Sequence, residues 1–232
     1  MTDAPVLFLP GTLCDERVWL PVWRQMSLSN RRYVPLQWAS SFDEMLALTD
    51  DRVLPDEKVH VVGFSMGGYV AASWALQNPA NVASLTLIGY NPEGLGSDEI
   101  KRRRELVAAL QKGQPIVQSP AYTAQFVSSD FIDDPLVAGV MQQMGQDLGT
   151  SALLAHMQST TPREDLTPRL RKAPFAINLI AARYDLIARY DILSAIATQL
   201  NDCTLFSIED SAHMMLLERP GEVSSALNQI LS

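Results

Sequence analysis

The fold of this chain is decided by residues 63–67, Gly-Phe-Ser-Met-Gly. The β-branched run 58–62 before them predicts a short buried strand, and the small apolar residues 69–76 after them predict a helix. A serine at so abrupt a strand-to-helix turn is expected to have a strained backbone and an outward-pointing hydroxyl. Gly63 and Gly67 suit this geometry, because the strand and helix backbones approach closely on either side of Ser65.

Two later segments extend the pattern. Asp185 follows the apolar run 175–180, and His213 follows the predicted strand 205–208. With Ser65 these residues give the chain order serine, acid, histidine, and this order resembles the α/β-hydrolase family. The resemblance covers nearly the whole chain except about residues 91–172.

Two details of the later segments bear on that resemblance. Ala182 and Ala212 stand where the family commonly has glycine, next to the acid and the histidine. The run Glu218-Arg219-Pro220 follows the histidine, as it does in many members of the family. Three ordered motifs together are a stronger signal than any one of them.

Alternating apolar and amphipathic segments predict an α/β fold, a mostly parallel sheet of about six strands covered by helices on both faces. At 232 residues the chain is expected to be a single domain, 1–232. Its core would be 1–90 and 173–232, and the insertion at about 91–172 corresponds to the family's helical lid. Prolines at 92, 115, 120 and 135 predict short helices there. The predicted strands are 6–9, 33–37, 59–62, 84–88, 175–180 and 204–208, and the predicted core helices are 17–26, 42–48, 68–77, 192–200 and 222–230.

The family resemblance implies that Ser65 is the nucleophile. A hydroxyl needs an adjacent base to take its proton at neutral pH, and the chain has three histidines. His60 lies on the strand that leads to the serine and is interpreted as a core histidine. His156 lies in the insertion, where a partly exposed helical position is expected. His213 is therefore the predicted base.

Asp185 is predicted to orient the imidazole of His213 and to stabilise it when protonated. An aspartate at the end of a strand can instead cap the following segment. The position of Asp185 and its family-like spacing to His213 favour the catalytic role. The remaining candidates for the acid are Asp191, Asp210 and Glu93.

The resemblance also implies an oxyanion hole formed by two backbone N–H groups. Met66, the residue after the serine, would supply one of them from the start of its helix. Thr12 would supply the other from the loop after the first strand, with Leu13 as the fallback. Pro10 stands where the family usually has a histidine. That histidine supports the loop and is not a catalytic base, so its replacement affects no step of the expected reaction.

One cation in the insertion stands out from its surroundings. A helix is predicted from Ser97 to about Lys112, and its apolar residues Ile100, Leu106, Val107 and Leu110 lie on one side, with Arg103 among them. Such a cation must extend to solvent, pair with a carboxylate or face a wet cleft. One hypothesis is that Arg103 lines the mouth of the pocket and attracts an anionic substrate or a phosphorylated carrier.

Composition narrows the class of protein. With 18 Lys and Arg against 26 Asp and Glu, the formal net charge of −8 argues against general nucleic-acid binding. Two cysteines cannot form a disulfide framework, and neither a signal sequence nor a membrane-spanning run is evident. A cytoplasmic protein is expected. The spacing of histidines and cysteines predicts no metal site, no phosphate or dinucleotide fingerprint is present, and no cofactor is expected. The oligomeric state stays open.

The function predicted from these features is hydrolysis of a small-molecule carboxylic ester through an acyl-Ser65 intermediate. Fold and triad do not fix the chemistry, so alternatives stay open. One is a thioesterase acting on coenzyme A or on an acyl carrier, which the basic helix of the insertion mildly favours. Another is a C–C bond hydrolase or lyase that uses the same triad, since relatives of that kind exist in the family.

Overall fold

The computed structural model describes residues 4–114 and 120–232. Within them, six strands form one sheet in the order β2-β1-β3-β4-β5-β6, and every neighbouring pair is parallel. The predicted α/β fold with a parallel sheet of about six strands is confirmed. The strands are β1 Val6–Leu9, β2 Arg31–Tyr33, β3 Val59–Phe64, β4 Val82–Ile88, β5 Ala176–Ala182 and β6 Cys203–Ile208.

Helices lie on both faces of this sheet. Alternate residues of β1 show the division: Leu7 and Leu9 pack into one apolar cluster, and Val6 and Phe8 pack into another. The first cluster contains residues of α2, α3 and α8, and the second contains residues of α1, α9 and α10. The helices are α1 Leu20–Trp23, α2 Phe42–Asp50, α3 Met66–Gln77, α4 Ser97–Gln111, α5 Pro120–Thr123, α6 Ala138–Ser159, α7 Thr167–Leu170, α8 Tyr190–Ala197, α9 Met215–Glu218 and α10 Pro220–Ile230.

The second strand is shifted from its predicted position. The sequence predicts a strand over 33–37, whereas β2 covers Arg31–Tyr33 and a 3-10 helix covers Leu36–Trp38. Pro35 precedes that helix with φ −82° and ψ 72°, outside the extended region. Because proline has no N–H for a ladder hydrogen bond, Pro35 prevents the strand from continuing through the predicted range 33–37.

The insertion between β4 and β5 contains α4, α5, α6 and α7. The helix predicted from Ser97 to about Lys112 is present as α4, and the short helices expected elsewhere in the insertion include α5 and α7, with four residues each. Pro120 and Pro135 lie at or before helix starts, where proline does not interrupt a helix, and Pro115 lies outside the described residues. Gly149, with φ 71°, breaks α6 into two helical parts.

No helix among residues 4–114 and 120–232 has the length and apolar character needed to cross a membrane.

Candidate active site

Ser65 lies at the turn between β3 and α3, at the carboxyl edge of the sheet. Its backbone has φ 51° and ψ −115°, a region that non-glycine residues rarely occupy. The strained conformation predicted for this serine is confirmed. The Ser65 N–H donates to the Ile88 carbonyl at 2.9 Å, and the Ser65 carbonyl accepts from the Gly68 N–H at 2.9 Å. These bonds hold the turn between the end of β4 and the first turn of α3.

The glycines on either side of Ser65 allow this close approach. A Cβ on Gly63 would lie 2.4 Å from the Gly67 carbonyl oxygen, and one on Gly67 would lie 2.4 Å from the Leu9 carbonyl oxygen. Both contacts are with backbone atoms, which cannot rotate away. The predicted need for small residues at these positions is confirmed.

Three side chains meet above this turn. With the imidazole neutral, Ser65 Oγ donates to His213 Nε2 at 2.9 Å, and His213 Nδ1 donates to Asp185 Oδ2 at 2.8 Å. His213 follows β6, and Asp185 follows β5. Because parallel strands end at the same edge of a sheet, residues distant in sequence are brought within hydrogen-bond distance there. His213 and Asp185 are both buried.

The second oxygen of Asp185 fixes the carboxylate. Asp185 Oδ1 accepts from the N–H groups of Ile187 at 2.7 Å and Ala188 at 2.9 Å, so the side chain also caps the next segment. The same carboxylate therefore caps the next segment and accepts a hydrogen bond from His213, while its catalytic role stays a prediction. Two rival carboxylates have other partners: Asp191 pairs with Arg189 at 2.6 Å, and Glu93 contacts Asn91.

Glu218 holds the loop that carries His213. Its Oε2 accepts from Ser211 Oγ at 2.7 Å and from the Ala212 N–H at 2.8 Å, and its Oε1 accepts from the Ser128 N–H at 2.9 Å. The carboxylate thus joins the histidine loop to the insertion. The sequence reasoning noted the run 218–220 but gave Glu218 no role, and three donors converging on it from distant segments could not be seen from the sequence.

The loop after β1 lies against the nucleophile turn. A Cβ on Gly11 would lie 3.3 Å from Ser65 Cβ, and the Cys14 N–H donates to the Gly11 carbonyl at 3.2 Å, closing a turn. The N–H of Leu13, the fallback donor, points to His156 Nδ1 at 3.2 Å. Leu13 is therefore not free to bind an oxyanion, which leaves Thr12 as the candidate in this loop.

The remaining histidines lie away from the serine. His156 is fully buried, so the expected partly exposed position is wrong, because α6 lies between α4 and the loops after β1 and β2. Burial lowers the pKa of His156 to about 4. His60 is partly buried, with its Nδ1 2.7 Å from Ser84 Oγ, and burial lowers its pKa as well. The interpretation of His60 as a core histidine fits this environment.

Arg103 lies on the inner side of α4, where 13% of its side chain is exposed. Its Nε donates to Glu99 Oε1 at 2.8 Å, so the ion-pair alternative considered from sequence is present. Its Nη1 is buried and has no hydrogen-bond partner in the described part of the chain.

Arg163 is a second partly buried cation, and the sequence gives no sign of it. Its Nη2 lies 3.4 Å from Thr160 Oγ1, and its Nε is buried without a partner among the described residues. Its guanidinium lies 5.5 Å from the centre of the Tyr69 ring, one helical turn after Ser65. Burial and the positive charge of Arg103 together lower the pKa of Arg163 to about 10. No group of three or more metal-ligating side chains occurs among the described residues.

This parallel sheet, with a strained serine turn and a Ser-His-Asp hydrogen-bond chain at its carboxyl edge, defines the class of α/β hydrolases. A family profile described as "Alpha/beta hydrolase family" matches residues 6–226. The chain belongs to the α/β-hydrolase family and is a hydrolase.

Curated relatives include proteins of different reaction types. The chain is 27% identical to 2-succinyl-6-hydroxy-2,4-cyclohexadiene-1-carboxylate synthase of Enterobacter sp. (strain 638), over 97% of this chain and 91% of that protein. It is 25% identical to monoacylglycerol lipase abhd6-B of Xenopus laevis, over 75% of this chain and 54% of that protein. The chain thus matches about half the length of the lipase.

Solved structures share the fold. A malate-bound thermophilic esterase from Thermogutta terrifontis superposes with a TM-score of 0.87 at 20% identity, covering 99% of this chain and 90% of that one. The enol-lactonase from Burkholderia xenovorans LB400 superposes with a TM-score of 0.82 at 14% identity, covering 99% and 92%.

Proposed function

We propose that this protein is a serine hydrolase that cleaves a small-molecule carboxylic ester through an acyl-Ser65 intermediate. The observation that carries the proposal is the hydrogen-bond chain from Ser65 Oγ through His213 to Asp185, with links of 2.9 and 2.8 Å. A hydroxyl, a base and a group that orients the base are the parts that nucleophilic acyl transfer requires.

The proposed reaction has two stages. His213 Nε2 takes the proton of Ser65 Oγ as the oxygen attacks the ester carbonyl, and the imidazolium then gives that proton to the leaving alkoxide. Water, deprotonated by the same nitrogen, releases the acid and restores Ser65. Asp185 holds the Nδ1–H tautomer and stabilises the imidazolium in both stages.

The developing oxyanion is assigned to the N–H groups of Met66 and Thr12. Met66 opens α3, where the helix dipole favours negative charge. Thr12 lies in the loop packed against Ser65, and the neighbouring Leu13 N–H is engaged elsewhere. Two such donors in a water-poor site lower the barrier to acyl transfer.

The test is turnover of p-nitrophenyl esters of increasing acyl length beside the matching acyl-CoA thioesters, with Ser65→Ala as the control. Ester turnover that disappears in the variant, together with fluorophosphonate labelling of Ser65, would support the proposal. Preference for the thioesters would move the substrate to a carrier-linked acyl group.

Carbon–carbon bond cleavage or a lyase reaction is the second candidate, and one observation favours it. The relative matched over 97% of this chain is named a synthase. Ser65 and His213 could remove a proton from carbon instead of attacking a carbonyl. Labelling of Ser65 by a fluorophosphonate without turnover of any ester or thioester would favour this candidate over ester hydrolysis.

We propose that the insertion of about 91–172 acts as a lid. The Met214 N–H donates to the Phe126 carbonyl at 2.9 Å, and the Phe126 ring centre lies 6.0 Å from that of His213. These contacts support a cover over the catalytic histidine.

The substrate is expected to be a small molecule, and the free cysteines and acidic composition favour a cytoplasmic location.

Arg103 is proposed to favour substrates that carry a carboxylate, together with Arg163. Within residues 4–114 and 120–232, both guanidinium groups carry a buried N–H without a hydrogen-bond partner, and the Glu99 carboxylate pairs with Arg103 and lies near Arg163. A buried unpaired donor in a native structure needs a ligand or a water. The product named for the synthase relative carries a ring carboxylate and a succinyl group, which fits this proposal.

The test compares mono-p-nitrophenyl adipate with its methyl ester, which has no charge. Arg103→Ala should raise KM for the acid about tenfold and leave KM for the neutral ester nearly unchanged, about 1.4 kcal/mol of selective binding. Arg102→Ala is the matched control, because Arg102 pairs with the same Glu99 but is 67% exposed. Equal effects of Arg103→Ala on both esters would reject the proposal.

A further inference from the structure

A histidine from the insertion holds the loop that follows β1. The Leu13 N–H donates to His156 Nδ1 at 3.2 Å, and His156 Nε2 donates to the Leu36 carbonyl at 3.3 Å. His156 lies on α6, 143 residues after Leu13 in the chain. This imidazole therefore ties the loop after β1 and the segment after β2 to the insertion.

These two bonds fix the state of the ring. A backbone N–H can only donate, so Nδ1 must carry a lone pair, and a carbonyl can only accept, so Nε2 must carry the hydrogen. A single neutral tautomer satisfies both. The surroundings of His156 are dry and keep the ring neutral, since the side chain is fully buried.

The loop after β1 has few bonds of its own. The Cys14 thiol donates weakly to the Thr12 carbonyl at 3.5 Å, on the same peptide whose N–H is held by His156. Pro10 has no N–H, and the turn of residues 11–14 is closed by one backbone bond, from the Cys14 N–H to the Gly11 carbonyl. Leu13 has φ 51°, a left-handed conformation that non-glycine residues keep only where the surroundings impose it. Its side chain packs with Leu110 and Leu153, which belong to α4 and α6. The insertion thus holds Leu13 by both its backbone and its side chain.

We propose that His156 is a positioning residue that sets the direction of the Thr12 N–H toward the oxyanion. The peptide of Leu13 is the next one along the chain, so fixing its N–H fixes the plane of the Thr12 carbonyl and limits rotation at Thr12. The inference rests on the proposed function, in which Thr12 is an oxyanion donor. The geometry of the oxyanion hole would then depend on the position of α6. The packing of the insertion over the substrate and the stabilisation of the transition state would be linked through His156.

Two substitutions, each with an amide that reproduces one ring nitrogen, separate this role from simple packing. His156→Asn places an amide oxygen where Nδ1 lies and keeps the acceptor for Leu13. His156→Gln extends its amide to the place of Nε2 and keeps the Leu36 contact only. Both remove the ring, so a packing role predicts similar losses from both. Ser159→Ala is the control, because it removes another hydrogen bond from α6 to the body of the protein, to the Ser40 carbonyl, without touching the loop.

In the ester assay we expect His156→Gln to lower kcat about 10- to 100-fold with KM within about threefold, as misdirected oxyanion donors do. His156→Asn should stay within about threefold of the wild type in kcat. The Ki of a trifluoromethyl ketone, which forms a tetrahedral adduct on a serine, should rise in His156→Gln in proportion to the loss of kcat/KM. Equal kcat in the Asn and Gln variants would overturn the inference.

A second readout does not need turnover. The Leu13 amide proton should exchange slowly with D2O in the wild type and in His156→Asn, and at least tenfold faster in His156→Gln. Slow exchange in all three proteins would overturn the inference even if the enzyme has no ester substrate. An inactive wild type with the expected exchange pattern would reject the ester proposal and leave the positioning contact supported.

Discussion

At the scale of single residues, the site depends on two glycines that have no side chain as much as on the three catalytic candidates. Ser65 can occupy its strained turn because positions 63 and 67 have no side chain, and the backbones there lie within 2.4 Å of where a Cβ would be. This requirement for glycine at positions 63 and 67 could be predicted, because both glycines belong to the sequence motif around Ser65. Ser65, Asp185 and His213 could likewise be predicted, because each follows a recognisable strand.

Gly67→Ala should therefore be severely destabilising. The added methyl would meet the carbonyl oxygens of Leu9 and Pro10, and neither backbone can yield without moving β1 or α3. We expect a loss of about 3 kcal/mol or more in the free energy of unfolding, measured by urea denaturation. Gly139→Ala, at the start of α6, is the control: its Cβ would make only ordinary contacts, with Pro135 and Asp134, and the change should be neutral or slightly stabilising. A stable, active Gly67→Ala protein would contradict this account of the turn.

Other residues at this scale could not be predicted. The Leu13 contact of His156 and the unpaired N–H of Arg163 depend on how the insertion packs over the core. A histidine inside a helical pattern gives no sign of whether its face is exposed, and the default expectation of partial exposure is wrong here. Side chains whose roles depend on partners more than a hundred residues away carry no local signal in one sequence.

At the scale of elements, the strands at the centre of the sheet were the most predictable. Each of β1, β3, β4 and β5 overlaps its predicted range, because a strand buried on both faces is a continuous apolar run. The edge strand β6 also overlaps its prediction, although Ile208 is its one buried residue. The edge strand β2 was misplaced, since its residues are half-exposed and the apolar run beside them belongs to a 3-10 helix. In the insertion α4 follows its predicted range, whereas the span of α6, which Gly149 divides, was not predicted.

The loop between β6 and α9 owes its shape to Glu218. Glu218→Ala would remove the acceptor of three donors, the Ser211 hydroxyl and the N–H groups of Ala212 and Ser128. The hydroxyl alone has another acceptor at hand, the Ala212 carbonyl at 3.4 Å. We expect a loss of about 3 kcal/mol in stability, or roughly 6 to 12 °C in Tm, together with a kcat about tenfold lower because His213 is less well held.

Two variants complete the experiment on this loop. Glu218→Gln keeps one acceptor oxygen and should lose about half as much stability. Glu222→Ala changes a half-exposed carboxylate of the next helix and should be near neutral. A Glu218→Ala protein with wild-type Tm would show that the three bonds do not stabilise the fold.

At the scale of the whole molecule, burial of His156 links stability to pH. Its pKa is lowered to about 4 in the folded protein, against about 6.5 in an unfolded chain. Between these values the unfolded chain binds a proton that the folded protein does not, so the free energy of unfolding must fall as pH decreases from about 6.5 to 4. The fall due to this group is on the order of 3 kcal/mol over the full window. Burial of His60 acts in the same direction.

Chemical denaturation at pH 7.0 and pH 4.5 measures this effect. The wild type should lose more stability than His156→Asn between the two values, because asparagine does not titrate. Carboxylates with lowered pKa values are present in both proteins, so their effect on stability cancels in the comparison. Equal losses in the two proteins would mean that His156 takes up its proton at the same pH in both states.

The bond between Ser65 and His213 joins residues 148 positions apart in the chain. A ribosome that adds about 5 to 20 residues per second exposes the serine roughly 7 to 30 s before the histidine is made. During that time the hydroxyl has no base, so the nascent chain cannot attack an ester. On the proposed mechanism, Ser65 therefore becomes reactive toward a fluorophosphonate only when folding has brought His213 beside it. Pulse labelling during refolding or translation would report the arrival of the last strand more directly than any spectroscopic probe of the sheet.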